Sequence, residues 1–424
     1  MIRLPIFFAT ALLFFSCQQE KTSGKSPLPA SFGEGAVPAS IHLLATPCRK
    51  GGEPNLYISA DGRPFLSWVE YLNDTTDGLY FSSLEHGQWK EPIEIARGSN
   101  WFVNWADFPS LSGFGGGKEK LAAHWLAMAG EGTYDYDVQV AISPDGGRNW
   151  GRPFVPHQDG VKAEHGFVTL LPLDSNRMFA AWLDGRNTKT PNEGGHGHGQ
   201  GAMSLRAGFF SDKGQMLEEQ EVDGRVCDCC QTDAVQVPGG LIVAYRDRSE
   251  EEARDIAVAR WINGQWQPPA KVHEDDWKIS GCPVNGPALA AHGGQVALAW
   301  YTAARDTPRV LLVFSQDGGA YFNAPFRLDG GKPLGRVDVS WMDENCLAVS
   351  WMEETGEEAE TRLVIVDKRA PDDIRDFFVL VRNSKARASG FPIIEALGEN
   401  QLLAAWTQAD STGTRVKTAI VNYQ

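Results

Sequence analysis

Leu241-Ile-Val-Ala-Tyr245, Val296-Ala-Leu-Ala-Trp300, Leu347-Ala-Val-Ser-Trp351 and Leu402-Leu-Ala-Ala-Trp406 are one phrase written four times, a short apolar run closed by an aromatic ring. Three earlier copies are Phe65-Leu-Ser-Trp68, Leu121-Ala-Ala-His-Trp125 and Phe179-Ala-Ala-Trp182. The closing aromatics lie 57, 57, 63, 55, 51 and 55 residues apart. Each phrase is preceded by another apolar strand (Leu56–Ser59, Phe167–Leu171, Ala288–Ala291, Val337–Trp341). A third strand follows it (Leu79–Ser83, Val138–Ser143, Ile256–Trp261, Val310–Ser315), and a weaker fourth often comes after a Trp or Pro. Four antiparallel strands per unit of roughly 50 residues make a β-propeller blade. The expected fold is all-β, one propeller with seven blades, six being the alternative count.

This period accounts for the length. At about 150 residues per domain, 424 residues would suggest two or three domains; the repeat makes them one, expected over residues 39–424. The seventh unit, Phe391 to Gln424, stops after three strands, and Ser40-Ile-His-Leu-Leu-Ala-Thr46 stands ahead of the first unit. Pairing the two closes the ring and leaves no long free edge. The 45 Gly and 24 Pro suit many short strands and tight turns rather than helices. With 39 basic against 54 acidic residues the net charge is −15, which argues against a nucleic-acid partner.

Residues 1–17 read as an export address. Arg3 is followed by the apolar run Leu4 to Phe15, then Ser16 and Cys17. Twelve apolar residues cannot cross a bilayer as a helix, which needs about 20. The ending Phe14-Phe15-Ser16-Cys17 resembles a lipobox, which makes Cys17 the lipidated residue and anchors the protein to the outer membrane or cell surface. Residues 18–38, rich in Gln, Lys, Ser, Gly and Pro, read as a flexible tether.

Ser143-Pro-Asp145-Gly146-Gly147-Arg-Asn-Trp150 resembles the Asp box of sialidases and related propellers, and Ser315-Gln-Asp317-Gly318-Gly319-Ala-Tyr-Phe322 is a degenerate copy. In these turns the Asp caps, Gly takes positive φ and the aromatic tucks into the sheet, so Asp145 and Asp317 are structural. The mature chain looks like a sialidase-superfamily protein. The resemblance implies an exo-glycosidase at the mouth of the central channel.

Loops leading into the innermost strands, and those joining second to third strands, meet at that mouth. They carry Cys48, Trp105 and Asp107, Glu164 and His165, the run Cys227-Asp228-Cys229-Cys230-Gln231-Thr232-Asp233, then Cys282 and Asn285, Arg336 and Arg387. The other set adds Tyr134 and Tyr136, Asp184 and Arg186, Arg246, Asp247 and Arg248, and Arg305. Glycoside hydrolysis needs two carboxyl groups, or a Tyr nucleophile with a Glu base beside an acid. Asp107, Glu164, Asp233 and Asp247 are the catalytic candidates. Trp105, His165, Arg186, Arg246, Arg248, Asn285, Arg305 and Arg336 are candidates for binding an acidic glycan or another small anion, since guanidinium pairs bidentately with carboxylate.

Five of the seven cysteines fall on this one face. In an oxidising compartment Cys48, Cys227, Cys229, Cys230 and Cys282 can form disulfides. Alternatively Cys227, Cys229, Cys230 and Cys282, helped by His165, His196 or His198, can hold Cu(I) or Zn²⁺. Two non-catalytic readings stand beside the glycosidase: a propeller binding a metal, glycan or partner protein through the Cys-rich mouth, and a scaffold lipoprotein with a partner protein in the outer membrane.

Overall fold

The computed structural model describes residues 40–115, 120–189, 201–372, 374, 376–398 and 400–423. The export address, Cys17, the tether, His196 and His198 lie outside these. Seven antiparallel sheets follow one another along the chain, each built mostly from hairpins between consecutive strands. The first is Gly51–Ile58, Pro64–Asn73 and Thr76–Glu85, completed by Gln88–Trp89 and Ile93–Gly98. The sixth, Pro333–Trp341, Cys346–Thr355, Glu358–Asp367 and Asp376–Ser384, is the most regular. The second sheet has three strands, with Phe154 bridging to Val140 where a fourth would lie. The fold is thus a seven-bladed β-propeller.

The ring closes as its period requires. Ser40–Leu44 pairs antiparallel with Gly413–Asn422, in register from Ser40 opposite Asn422 to Leu44 opposite Thr418. The last sheet therefore holds both ends of the described chain.

Second strands carry the core. Trp68, Trp182, Trp300 and Trp351 are among the largest fully buried side chains, and Trp125 and Trp406 are buried with them. An indole buried among Leu, Val and Ala must still satisfy its N–H. A recurring device does so. Trp68 donates to Glu70 at 2.8 Å, Trp182 to Asp184 at 2.9 Å, Trp351 to Glu353 at 2.8 Å and Trp406 to Gln408 at 3.1 Å. The acceptor sits two residues on, which in a strand is the same face. Trp300 has Thr302 at that position and turns instead to Asp275, at 2.7 Å.

The two turns singled out in the sequence fold alike. Ser143 donates to Asp145, and the Gly147 N–H donates to Ser143 at 2.8 Å. Ser315 donates to Asp317, and the Gly319 N–H donates to Ser315 at 2.9 Å. Both aspartates spend their oxygens on the turn, also accepting from Asn149 and from Tyr321. Trp150 meets Phe81 of the preceding blade edge-on.

Trp351→Ala should cost about 3–5 kcal/mol by opening a cavity between blades. Urea unfolding checks it, and Trp351→Phe is expected to lose less.

Candidate functional site

Innermost strands face a central channel, a cavity of about 350 Å³. Their backbone is tied to the neighbouring blade by side chains. Asn55 accepts from the Leu111 N–H at 3.0 Å, Asp233 from Leu289 at 2.6 Å and Asp338 from Ile394 at 2.7 Å. Asp233, expected to be catalytic, is therefore a stitch between the fourth and fifth blades. It also accepts from Ala234. Burial raises its carboxyl to about 7, and burial likewise raises Glu395 to about 7.

Three innermost strands start with a bulge of the same form. The register shifts between Gly52 and Asn55, Gly166 and Thr169, and Gly335 and Asp338. Glu53, Phe167 and Arg336 take φ of 55°, 53° and 55° there, the left-handed region that non-glycine residues usually avoid. Two of the glycines are demanded by close contacts. A Cβ on Gly166 would meet Asp107 Oδ2 at 2.0 Å, and one on Gly335 would meet Asn285 Oδ1 at 2.1 Å.

The first of these contacts opens on a proton-bearing cluster. The Tyr136 phenol lies 3.0 Å from both Asp107 Oδ2 and Glu164 Oε1. Asp107 also accepts from the Phe167 N–H at 2.7 Å. One phenolic proton cannot satisfy two carboxylates. Burial, the largest influence on each, raises Asp107 to about 7 and Glu164 to about 8, and it holds Tyr136 well above its ordinary value. The trio therefore keeps an extra proton near neutral pH. Tyr136 and Asp107 are buried, Phe102 stacks on the Tyr136 ring at 4.1 Å, and Glu164 is only partly covered.

A cationic edge adjoins it through Trp105. The Arg336 guanidinium lies 4.9 Å from the Trp105 ring centre and Arg387 lies 5.9 Å from it, while Phe391 stacks on the same indole. Arg336 donates to the carbonyls of Gly390 and Ala386. Among the described residues no carboxylate lies within 4 Å of Arg336 or Arg387. Burial and the neighbouring Arg387 lower Arg336 to about 10.

Cysteines form the opposite edge. Cys227 Sγ lies 3.7 Å from Cys230 Sγ and 4.0 Å from Cys229 Sγ, and the three sulfurs share one small volume. Cys282 reaches the cluster through Cys229. Hydrogen bonds from the Cys229 and Cys230 thiols, then the Arg254 charge, pull Cys227 well below the ordinary thiol range. Arg254 donates to Cys227 Sγ at 3.1 Å, and the Asn285 N–H donates to Cys230 Sγ at 3.4 Å. Gln231 links this loop to the other edge by donating to the Ala106 carbonyl.

Several expected site residues lie elsewhere. Cys48 is apart from the other four cysteines, taking the Val416 N–H at 3.4 Å, with burial pushing its thiol up to about 12. His165 is also apart from the thiols; it stacks on His157 at 3.7 Å among Asp137, Asp159 and Asp184. Arg186 is committed to Asp184, Asp159 and Glu219, and Arg248 to Asp228 and Glu252. Arg305 is exposed on a short turn. Asp247 accepts from the Arg248 N–H beside the blade edge. Arg246 is fully buried and donates to the carbonyls of Asn285, Arg254 and Tyr301. Asn285 is a hub, its side chain also accepting from the Arg336 N–H at 2.7 Å. Sequence reasoning missed His157 as part of these clusters, and no local spacing marks it.

No protein-family model and no curated protein matches the chain. Solved structures do. A protein of unknown function from Dyadobacter fermentans aligns over 92% of this chain and 100% of its own, with 14% identity and a TM-score of 0.50. Polysaccharide lyase Uly1 aligns over 93% of this chain and 94% of its own, with 10% identity and a TM-score of 0.50. A leech intramolecular trans-sialidase aligns over 96% and 70%, with 12% identity and a TM-score of 0.45. These likenesses show the β-propeller fold alone, and the chemistry rests on this chain's own residues.

Arg246→Lys should cost about 2–4 kcal/mol, because one ammonium cannot serve three buried carbonyls held by a fork; urea unfolding measures it. The channel carboxyls set a pH dependence. Asp233 and Glu395 have folded values above their ordinary ones, so the stability they contribute is present below pH of about 4 and lost as pH rises through about 7. The melting temperature is expected to fall between pH of about 4 and 7 and to level off above, and Asp233→Asn with Glu395→Gln to flatten that fall.

Proposed function

We propose that the protein is an exported, lipid-anchored glycosidase that removes a terminal acidic sugar at the channel mouth. The observation that carries this reading is the Tyr136 phenol held at 3.0 Å from both Asp107 and Glu164. A carboxylic acid kept protonated near neutral pH can donate to a leaving oxygen, and a phenol paired with a carboxylate can be activated as a nucleophile. Glu164, the partly exposed member, is the group that meets substrate. Arg336 and Arg387, with no carboxylate partner among the described residues, supply charge for the sugar's acid group, and Trp105 between them offers a face for its ring. Cys17, lying outside the described residues, would hold the propeller at the membrane.

A second reading, binding of the same sugar without turnover, is supported by the complete burial of Tyr136 beneath Phe102.

Incubation with sialosides, uronides and sulfated sugars should release a terminal acidic residue from one class. Glu164→Gln is expected to lower kcat/KM by about 100-fold or more. Activity should decline on the alkaline side through pH of about 8, as the Glu164 proton is lost. Binding of a glycan with no product from any class would select the second reading, and neither binding nor product would overturn both.

A further inference from the structure

We propose that Cys227, Cys229, Cys230 and Cys282 form a binding site for one thiophilic d¹⁰ metal ion, Zn²⁺ or Cu(I), at the channel mouth. The proposal stands apart from the glycosidase reading: it concerns other side chains and another ligand.

Geometry comes first. A tetrahedron with sulfur corners about 2.3 Å from its centre has edges of about 3.8 Å. The measured separations from Cys227 are 3.7 Å to Cys230 and 4.0 Å to Cys229. Within a single tight loop, Cys227 to Cys230, two of the three sulfur separations match that edge and all three lie within 4.8 Å. Cys282 comes from the loop ahead of the fifth blade and interacts with Cys229 from the solvent side, outside the three-sulfur group; it would swing in as the fourth ligand. Cys227 and Cys230 are buried, Cys229 is partly covered and Cys282 is exposed, so an ion can enter past Cys282.

Electrostatics agrees. Buried thiolates need compensation, which here comes from Arg254 at 3.1 Å from Cys227 Sγ. Arg246 is buried next door, with no carboxylate among its hydrogen-bond partners. A guanidinium buried without a carboxylate is costly unless an anion lies nearby. Four thiolates around Zn²⁺, or three around Cu(I), each leave two negative charges, which face Arg246 and Arg254, the latter shared with Glu252 at 2.9 Å. The N–H donors from Arg254 and Asn285 to sulfur, at 3.1 and 3.4 Å, orient the ligands from outside. On loading, the ion replaces the thiol protons and no electrons move. Asp228 stays out of the set, bound to Arg248 at 3.1 Å.

The test uses the full chain, purified without a His tag and under reducing conditions. Zn²⁺ is titrated against a chromophoric chelator and, anaerobically, Cu(I) against a Cu(I)-specific chelator; thiols are counted before and after. The expected result is one equivalent of one ion, bound tightly enough to compete, with protection of the four mouth thiols. Cys227→Ser and Cys230→Ser should each weaken binding by about 100-fold or more, while Cys346→Ser changes nothing. Should those variants misfold, Co²⁺ substitution in the unaltered protein must give the intense bands of tetrahedral thiolate coordination. Failure of both ions to bind in stoichiometric amount to reduced protein would overturn the site. So would protein from its native envelope with Cys227, Cys229, Cys230 and Cys282 paired as disulfides. Glycan turnover is measured separately, so either proposal can fail alone.

Discussion

Wedge-shaped sheets packed round a channel share one difficulty: every innermost strand is an edge, with backbone N–H groups that its own blade does not pair. Water in the channel can satisfy some of them but cannot hold one blade against the next. The molecule meets this with side chains from the preceding blade. Asn55 reaches Leu111, Asp107 reaches Phe167, Asp233 reaches Leu289 and Asp338 reaches Ile394. Carboxylates and an amide thereby stand in for a missing strand, and the spacing of blades follows from their reach. The channel's acidic lining is a by-product of this stitching, since the aspartates that face it are already engaged.

The same stitches explain why function collects at one mouth. Where an innermost strand begins, a bulge turns Glu53, Phe167 and Arg336 into left-handed backbone, which costs of order 1–3 kcal/mol each. A bulge re-aims the side chain that a regular strand would leave on a blade face. At Arg336 it sends a guanidinium across to the carbonyls of Gly390 and Ala386 and over Trp105. At Phe167 it lets the backbone N–H meet Asp107, which leaves the other oxygen of that carboxyl for Tyr136. Asp107 is thus both a stitch and a member of the proton-bearing trio, whereas Asp233 stitches blades from the channel wall.

The fold was legible because its repeat is written in residue types: a phrase ending in Trp or Tyr returns about every 55 residues, and burying that aromatic between blades permits few alternatives. The site was half legible. Loop position brought Asp107, Glu164 and the four clustered cysteines to the mouth, since connectivity alone decides which face a loop occupies. What a side chain does there depends on partners far off in the sequence, from 28 residues for Tyr136 and Glu164 to 368 for Cys48 and Val416. Arg246 looks like an anion binder until Asn285 and Tyr301 present their carbonyls to it. Cys48 shares the face with the other cysteines, but it belongs to the closing seam, where Val416 occupies its sulfur. Local patterns carry no record of such distant pairings.

Charge distribution adds a final constraint. The chain carries −15 overall, yet Arg246, Arg336 and Arg387 stand round the mouth without carboxylate partners among the described residues. In an acidic protein such groups would readily be neutralised by nearby Asp or Glu, as Arg186 and Arg362 are. Burying Arg246 and Arg336 without a carboxylate costs stability, which backbone carbonyls partly offset. The two edges of the mouth meet that cost differently. Arg246 is met by backbone carbonyls, and its neighbour Arg254 is shared between Glu252 and the Cys227 sulfur. Arg336 has the carbonyls of Gly390 and Ala386 and the face of the Trp105 indole, whereas Arg387, beside the same indole, faces solvent, which can carry its charge.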